Sequence, residues 1–282
     1  MLFLDSSDPA EITDLMRWGA VAGITTNPLI LSREARGVDL GHRILEILRV
    51  SRGPVAVELL HETEAEMLTE ARMYRAFDAP DALSARPSDP QSGPVSLSGP
   101  AASPLASPPR APVNRIVIKV PFSEVGLRVT HALSGLGVPI NMTCLMSFHQ
   151  AYLATLAGAT FVSIFGGRIR DMGYDPRPVI AETRAQLDRE QLSAKIIVGS
   201  VRHLHDVSEA LSAGAHIVTV PPPILRAMLR HPRTEETIRE FNSAWAASRT
   251  GGQPPSASTP TERTPGADPP PDARRGSGGA PR

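Results

Sequence analysis

The chain has 282 residues, with 29 basic and 29 acidic side chains and a formal net charge of zero. That is length enough for one large α/β domain, and it leaves no global field to hold nucleic acid or an anionic membrane; any phosphate binding must come from a local cluster. Cys144 is the only cysteine, which excludes an intramolecular disulfide and a cysteine-based metal cluster and predicts a buried, inert thiol.

At the N-terminus, Met1-Leu2-Phe3-Leu4-Asp5 meets an aspartate too early for a signal peptide, and no apolar run approaches a membrane span. A cytoplasmic protein without membrane contact is expected. Short β-like runs follow at 2–5, 23–26, 55–59, 116–120, 139–143, 161–164, 195–199 and 217–220. Amphipathic helical segments lie at 9–18, with Asp8 as N-cap, and at 40–50, 63–77, 123–136, 147–157, 176–189, 205–213 and 223–229, with a last helix near 234–248. Eight Val/Ile-rich strands interleaved with helices predict an α/β fold, a (β/α)8 TIM barrel, as a single domain over residues 1–248. A doubly wound open sheet competes, but it wants a Gly-rich phosphate turn after its first strand, and Asp5-Ser6-Ser7-Asp8 is not one.

Two stretches break the periodic pattern. Residues 79–112, which include Ser107-Pro108-Pro109, and residues 249–282, which include Pro269-Pro270-Pro271, are rich in Pro, Ser, Ala and Gly. Such composition buries too little apolar surface to offset ordering entropy, so a disordered insertion and a disordered tail are expected, neither with a specific recognition role.

The fourth strand run, Arg115-Ile116-Val117-Ile118-Lys119-Val120-Pro121, contains one of only two lysines in the chain, the other being Lys195. Arginine has replaced lysine elsewhere, but a guanidinium cannot act as a neutral amine, whereas a desolvated lysine can lose its proton and attack a carbonyl. A snorkelling or ion-paired strand lysine explains the run equally well, and the run alone does not separate the two.

In a barrel, chemistry belongs at the C-terminal ends of the strands. The first strand ends in Asp5 and the second in Thr25-Thr26-Asn27-Pro28, while the third carries Glu58 and the fourth Lys119. The fifth supplies Asn141 and Thr143, the sixth Ser163 followed by Phe165 and Arg168, and the seventh Ser200 and Arg202. Each has a structural explanation of its own: Asp5 as a cap, Thr26-Asn27-Pro28 as turn chemistry, Glu58 as the partner of an arginine. As a set, packing explains them poorly. Their types suit carbon–carbon cleavage of a ketose, which needs an amine as electron sink, a carboxylate for the hydroxyl proton and a second acid/base for water. Arginines near hydroxyls suit a phosphate.

Together, Phe3-Leu4-Asp5-Ser6-Ser7, Gly23-Ile24-Thr25-Thr26-Asn27-Pro28, the Lys119 run, Asn141-Met142-Thr143, Ala157-Gly158-Ala159, Gly167-Arg168-Ile169 and Gly199-Ser200-Val201-Arg202-His203 resemble the transaldolase family. The nearest branch is the small, single-domain one that also holds fructose-6-phosphate aldolase. The resemblance implies Lys119 as the Schiff-base amine, Asp5 as acid/base at the donor's C4 hydroxyl, and Glu58 acting through a water that Thr143 helps to hold. It implies Thr26, Asn27, Asn141, Ser163 and Phe165 around the dihydroxyacetone portion, and Arg168, Ser200 and Arg202 on the phosphate. Glu58 and Phe165 match the transaldolases, where the aldolase members tend to carry glutamine and tyrosine.

The implied activity is therefore transfer of a dihydroxyacetone unit between sugar phosphates in the pentose phosphate pathway: sedoheptulose 7-phosphate and glyceraldehyde 3-phosphate exchanging with erythrose 4-phosphate and fructose 6-phosphate. It needs no cofactor and no metal, and a homo-oligomer is expected by resemblance. A fructose-6-phosphate aldolase that frees dihydroxyacetone and a non-catalytic sugar-phosphate-binding scaffold are the alternatives. Ile164 stands where the family has a proline and Gly166 where it has a bulkier residue, which predicts an altered pocket wall. His203-Leu204-His205 resembles the paired histidines of metal-dependent barrel hydrolases, but it follows the seventh strand rather than the first and lacks an HExxH-type partner.

Overall fold

A computed structural model describes residues 1–35, 37–78 and 115–249 of the chain. The expected insertion lies outside the described residues, as does the expected tail from residue 250 onward. Eight parallel strands close into a barrel in sequence order: β1 (Leu2–Asp5), β2 (Val21–Thr25), β3 (Val55–Glu58), β4 (Ile116–Pro121), β5 (Ile140–Leu145), β6 (Phe161–Phe165), β7 (Lys195–Gly199) and β8 (Ile217–Val220). Between them run helices α1 (Pro9–Met16), α2 (Pro28–Glu34), α3 (Leu40–Val50), α4 (Glu64–Ala76), α5 (Glu124–Ser134), α6 (Phe148–Leu156), α7 (Gly166–Asp171), α8 (Pro176–Arg189) and α9 (Leu204–Ser212). After β8 comes the short α10 (Pro222–Ala227). The (β/α)8 expectation holds.

Strand alternation sorts the side chains into two populations. Leu4, Ile24, Val57, Ile118, Met142, Ile164, Val198 and Val220 belong to the main core, packed with helix residues such as Ile12, Ile44, Ile47, Leu48, Met67 and Val129. Their in-between neighbours face the barrel axis, where Phe3, Ile197 and Ile217 form a separate small cluster with Phe161 against it. Gly23 makes this layer fit, because a Cβ there would lie 2.8 Å from the Phe3 ring. Seven helices start on side-chain caps: the side chains of Asp8, Asn27, Asp39, Thr63, Ser123, Ser147 and Asp175 accept from the backbone N–H groups of the turns they open. Each such cap contributes about 1 kcal/mol.

One side chain ties together the described residues that flank 79–114. The Asp78 carboxylate accepts from the Ile116 backbone N–H at 3.0 Å and pairs with Arg75 at 2.6 Å. This junction lies at the N-terminal end of β4, opposite the strand ends that Glu58 and Lys119 occupy.

Met1–Leu229 forms one compact unit, and the described residues 230–249 belong to another. In the second, α11 (Pro232–Arg249) has no buried residue and presents Ile238, Phe241 and Trp245 as large exposed apolar side chains. Among the described residues, no helix is long and apolar enough to cross a membrane.

Candidate active site

Above the aromatic layer, the axis-facing positions turn polar. Asp5, Thr25, Glu58, Lys119, Ser163, Phe165, Gly199 and Thr219 come from the strands, and Asn27, Arg168 and Ser200 from the turns and helix starts that follow them; together they line a cavity of about 400 Å³. Barrel register levels the central groups, with Glu58 opposite Lys119 and Lys119 opposite Asn141 across β3, β4 and β5.

Lys119 is only 4% exposed. Its Nζ lies 2.8 Å from Glu58 Oε2 and donates to the Thr26 carbonyl at 3.1 Å. A buried ion pair of this kind gains little net stability, since desolvation offsets most of the attraction. Its position at a cavity is therefore the more informative fact. The Phe165 ring stands 6.0 Å from Lys119 Nζ and 5.8 Å from the Arg168 guanidinium, so one phenyl neighbours both cations.

Asp5 Oδ1 accepts from Thr25 Oγ1 at 2.7 Å, and Thr25 Oγ1 lies 2.5 Å from Thr219 Oγ1. Because Thr25 gives its hydrogen to Asp5, Thr219 is the donor in the second contact, and the three groups form a directed chain. Burial raises the Asp5 carboxyl above the ordinary aspartate value, while the Lys119 charge and the Thr25 hydrogen bond pull it back. On the other wall, Ser163 Oγ donates to Asn141 Oδ1 at 2.8 Å. Asn141 Nδ2 and Thr143 Oγ1 are left buried without partners, which is how groups that await a ligand or a water present themselves.

Two cavity-lining residues, Cys144 (φ 64°) and Ser200 (φ 60°), adopt left-handed backbone without being glycine. Strain of this sort persists where surrounding structure imposes it, and it gathers at functional sites. Ser200 is further held by Gly167, where a Cβ would lie 2.0 Å from the Ser200 carbonyl oxygen.

Not every sequence-derived candidate reaches the cavity. Thr26 is fully buried and its hydroxyl donates to the Ala56 carbonyl at 2.8 Å, so only its carbonyl serves the site, by holding Lys119. Asn141 and Thr143 sit just behind the lining. Arg202 points away, with both guanidinium nitrogens on the Asp171 carboxylate. Ile164 belongs to the main core, and neither it nor Gly166 lines the cavity, so the expected change of pocket wall does not arise there. His203 opens α9, and His205 pairs with Glu209 at 3.0 Å.

Sequence reasoning missed Thr219, Met146 and Cys144 as lining residues. Cys144 is only partly buried, a correction to the expected buried thiol; burial, and after it the Glu58 charge, push the thiol up, which keeps it weakly nucleophilic. Thr219 was findable from alternation, since it faces the axis two residues beyond Ile217.

The sequence profile of the Transaldolase/Fructose-6-phosphate aldolase family matches residues 2–253. The chain belongs to this family. Among curated members of the transaldolase/fructose-6-phosphate aldolase family, "Probable transaldolase" of Symbiobacterium thermophilum is 33% identical over 248 residues, covering 88% of this chain and 98% of the relative. "Probable transaldolase" of Carboxydothermus hydrogenoformans is 33% identical over 246 residues, covering 87% and 98%. "Probable transaldolase 2" of Listeria monocytogenes is 32% identical over 245 residues, covering 87% and 95%.

Proposed function

We propose that this family member is a cytoplasmic transaldolase that moves a dihydroxyacetone unit from a ketose phosphate to an aldose phosphate through a Schiff base on Lys119, serving the pentose phosphate pathway. The carrying observation is the buried Lys119 amine 2.8 Å from Glu58, on a cavity that Asp5 also lines. In this reading Glu58 takes a proton from the Lys119 ammonium, the freed amine adds to the donor's C2 carbonyl, and Glu58, through a water held with Thr143, returns that proton to the carbinolamine oxygen so that it leaves as water and an iminium remains. Asp5 takes the C4 hydroxyl proton. The C3–C4 bond breaks, its electron pair flows into the iminium, and an aldose phosphate leaves behind an enamine. An incoming aldehyde accepts the C3 carbon, Asp5 returns its proton to the new C4 oxygen, and hydrolysis frees Lys119. Asn27, Asn141 and Ser163 hold the dihydroxyacetone hydroxyls, and Arg168 with Ser200 holds the phosphate. Arg202 joins them only by leaving Asp171. The exposed apolar face of α11 supports assembly into a homo-oligomer, since such faces mark contact surfaces.

A fructose-6-phosphate aldolase is the second reading, and Phe165 weighs against it. A phenyl ring neither donates a proton nor positions water, so the enamine waits for an acceptor. Turnover of fructose 6-phosphate with and without erythrose 4-phosphate separates the two. Fast transfer with little dihydroxyacetone release in the absence of acceptor is expected, with release rising in Phe165→Tyr. Release as fast as transfer in the wild type would establish the aldolase instead.

A further inference from the structure

Directly after Asp5, the chain runs through Ser6 and Ser7, both completely buried. Their polar groups converge on a single oxygen from another element. Glu34 Oε2, at the last residue of α2, accepts from the Ser7 backbone N–H at 2.8 Å, from Ser7 Oγ at 3.1 Å and from Ser6 Oγ at 3.3 Å. Ser6 Oγ in turn accepts from the Asp8 backbone N–H at 3.2 Å, at the residue that caps α1. The other Glu34 oxygen pairs with Arg33 at 2.7 Å, and the Glu34 side chain is only 19% exposed. At its opposite end α2 begins with Pro28 and Leu29, which line the cavity together with Asn27. One carboxylate thus ties the segment that follows Asp5 to the helix that forms the neighbouring cavity wall.

We infer that Glu34 is a positioning residue for Asp5, fixing the β1–α1 turn so that the Asp5 carboxyl points at the reacting centre while α2 stays seated beside it. The inference rests on the proposed role of Asp5 as acid/base. Three hydrogen bonds to an ionised acceptor are of the stronger, charge-assisted kind, and a site whose acid/base is loosened by an ångström loses rate out of proportion to binding. Glu34 also acts through space. Its negative charge adds to burial in raising Asp5, against Lys119 of β4, Arg33 of α2 and the hydrogen bond from Thr25 of β2. Glu34 also helps to raise Glu11 of α1, a carboxylate lifted chiefly by burial and next by Asp8, against Arg226.

The sign of the pH effect follows. Removing the Glu34 charge lowers Asp5, so the ionised form that accepts the C4 proton persists to lower pH. The test uses the full chain, with Glu34→Gln, which keeps size and removes charge, and Ser7→Ala, which keeps the charge and removes one donor. Borohydride trapping of dihydroxyacetone on Lys119 requires no carbon–carbon cleavage, so it should proceed at the wild-type rate in both variants. In Glu34→Gln, kcat for transfer from fructose 6-phosphate should fall about tenfold to a hundredfold, with KM little changed, and the acid limb of the kcat profile should move to lower pH. Ser7→Ala should show a smaller loss with its acid limb unmoved, and this variant carries the test alone should Glu34→Gln fail to fold. Unchanged kcat and pH profile in the variants, or trapping lost in step with kcat, would overturn the inference. A wild-type protein that traps no dihydroxyacetone would instead overturn the function on which it rests.

Discussion

Arg168 presents its guanidinium to the cavity and across the Phe165 ring, whereas Arg202 is held by Asp171 and is nearly half exposed. The two should therefore differ when removed. Arg168→Ala should raise KM for phosphorylated donors by roughly tenfold to a hundredfold, the equivalent of one charge-assisted hydrogen bond of about 1.5–3 kcal/mol. Unphosphorylated analogues should be affected little. Arg202→Ala should cost no more than about fivefold, because an exposed ion pair is worth about 1 kcal/mol or less and must first be broken for Arg202 to reach an anion. Steady-state kinetics on matched phosphorylated and unphosphorylated sugars checks this, and equal losses on both would make these arginines structural. In the sequence the two were indistinguishable, since Asp171 and Arg202 come from different elements and only the barrel brings them together. Lys119 was legible for the opposite reason, as a cation in an apolar strand is conspicuous wherever the strand lies. Thr219 drew no notice, because a threonine in a β run is what any strand carries, and only its alternation with Ile217 marks it as axis-facing.

At the scale of elements, Asn27 has two occupations. Its Oδ1 caps α2 by accepting from the Ile30 N–H at 3.0 Å, and the residue also lines the cavity. Asn27→Asp keeps the capping oxygen and replaces the amide donor by a second acceptor. It should hold the melting temperature while reducing kcat/KM by about tenfold or more. Asn27→Ala should lose both, with the melting temperature about 2–4 °C lower. Thermal unfolding paired with kinetics separates cap from ligand, and a stable, fully active Asn27→Asp would leave Asn27 a cap alone. The same double use explains why α2 escaped the sequence reading. Asn27-Pro28 reads as a turn, yet Asn at the cap and Pro at the first helical position are also how helices begin. The six-residue α7 was hidden by Gly166-Gly167, poor helix formers that are needed for close approach to β7 and its following turn. The strands were read nearly to the residue because burial on both faces leaves Val/Ile runs that few other elements imitate.

Across the whole molecule, closure of the barrel turns eight separate strand endings into one site, and this is why residues as far apart as Asp5 and Thr219 share a hydrogen-bonded chain. Length, alternation and the helix intervals make that closure readable in the sequence. The direction of individual side chains was not, because it depends on partners that sequence spacing does not reveal. The account stands on one group acting as nucleophile within this fold, and Lys119 differs from Lys195 in one decisive respect: it is buried on the cavity, while Lys195 is exposed at the start of β7. Incubation with fructose 6-phosphate and borohydride, followed by peptide mass mapping, tests this most directly. The account predicts inactivation with a single added mass on Lys119, absent in an inactive Lys119→Arg; labelling at Lys195, or loss of no activity and no label at all, would contradict it.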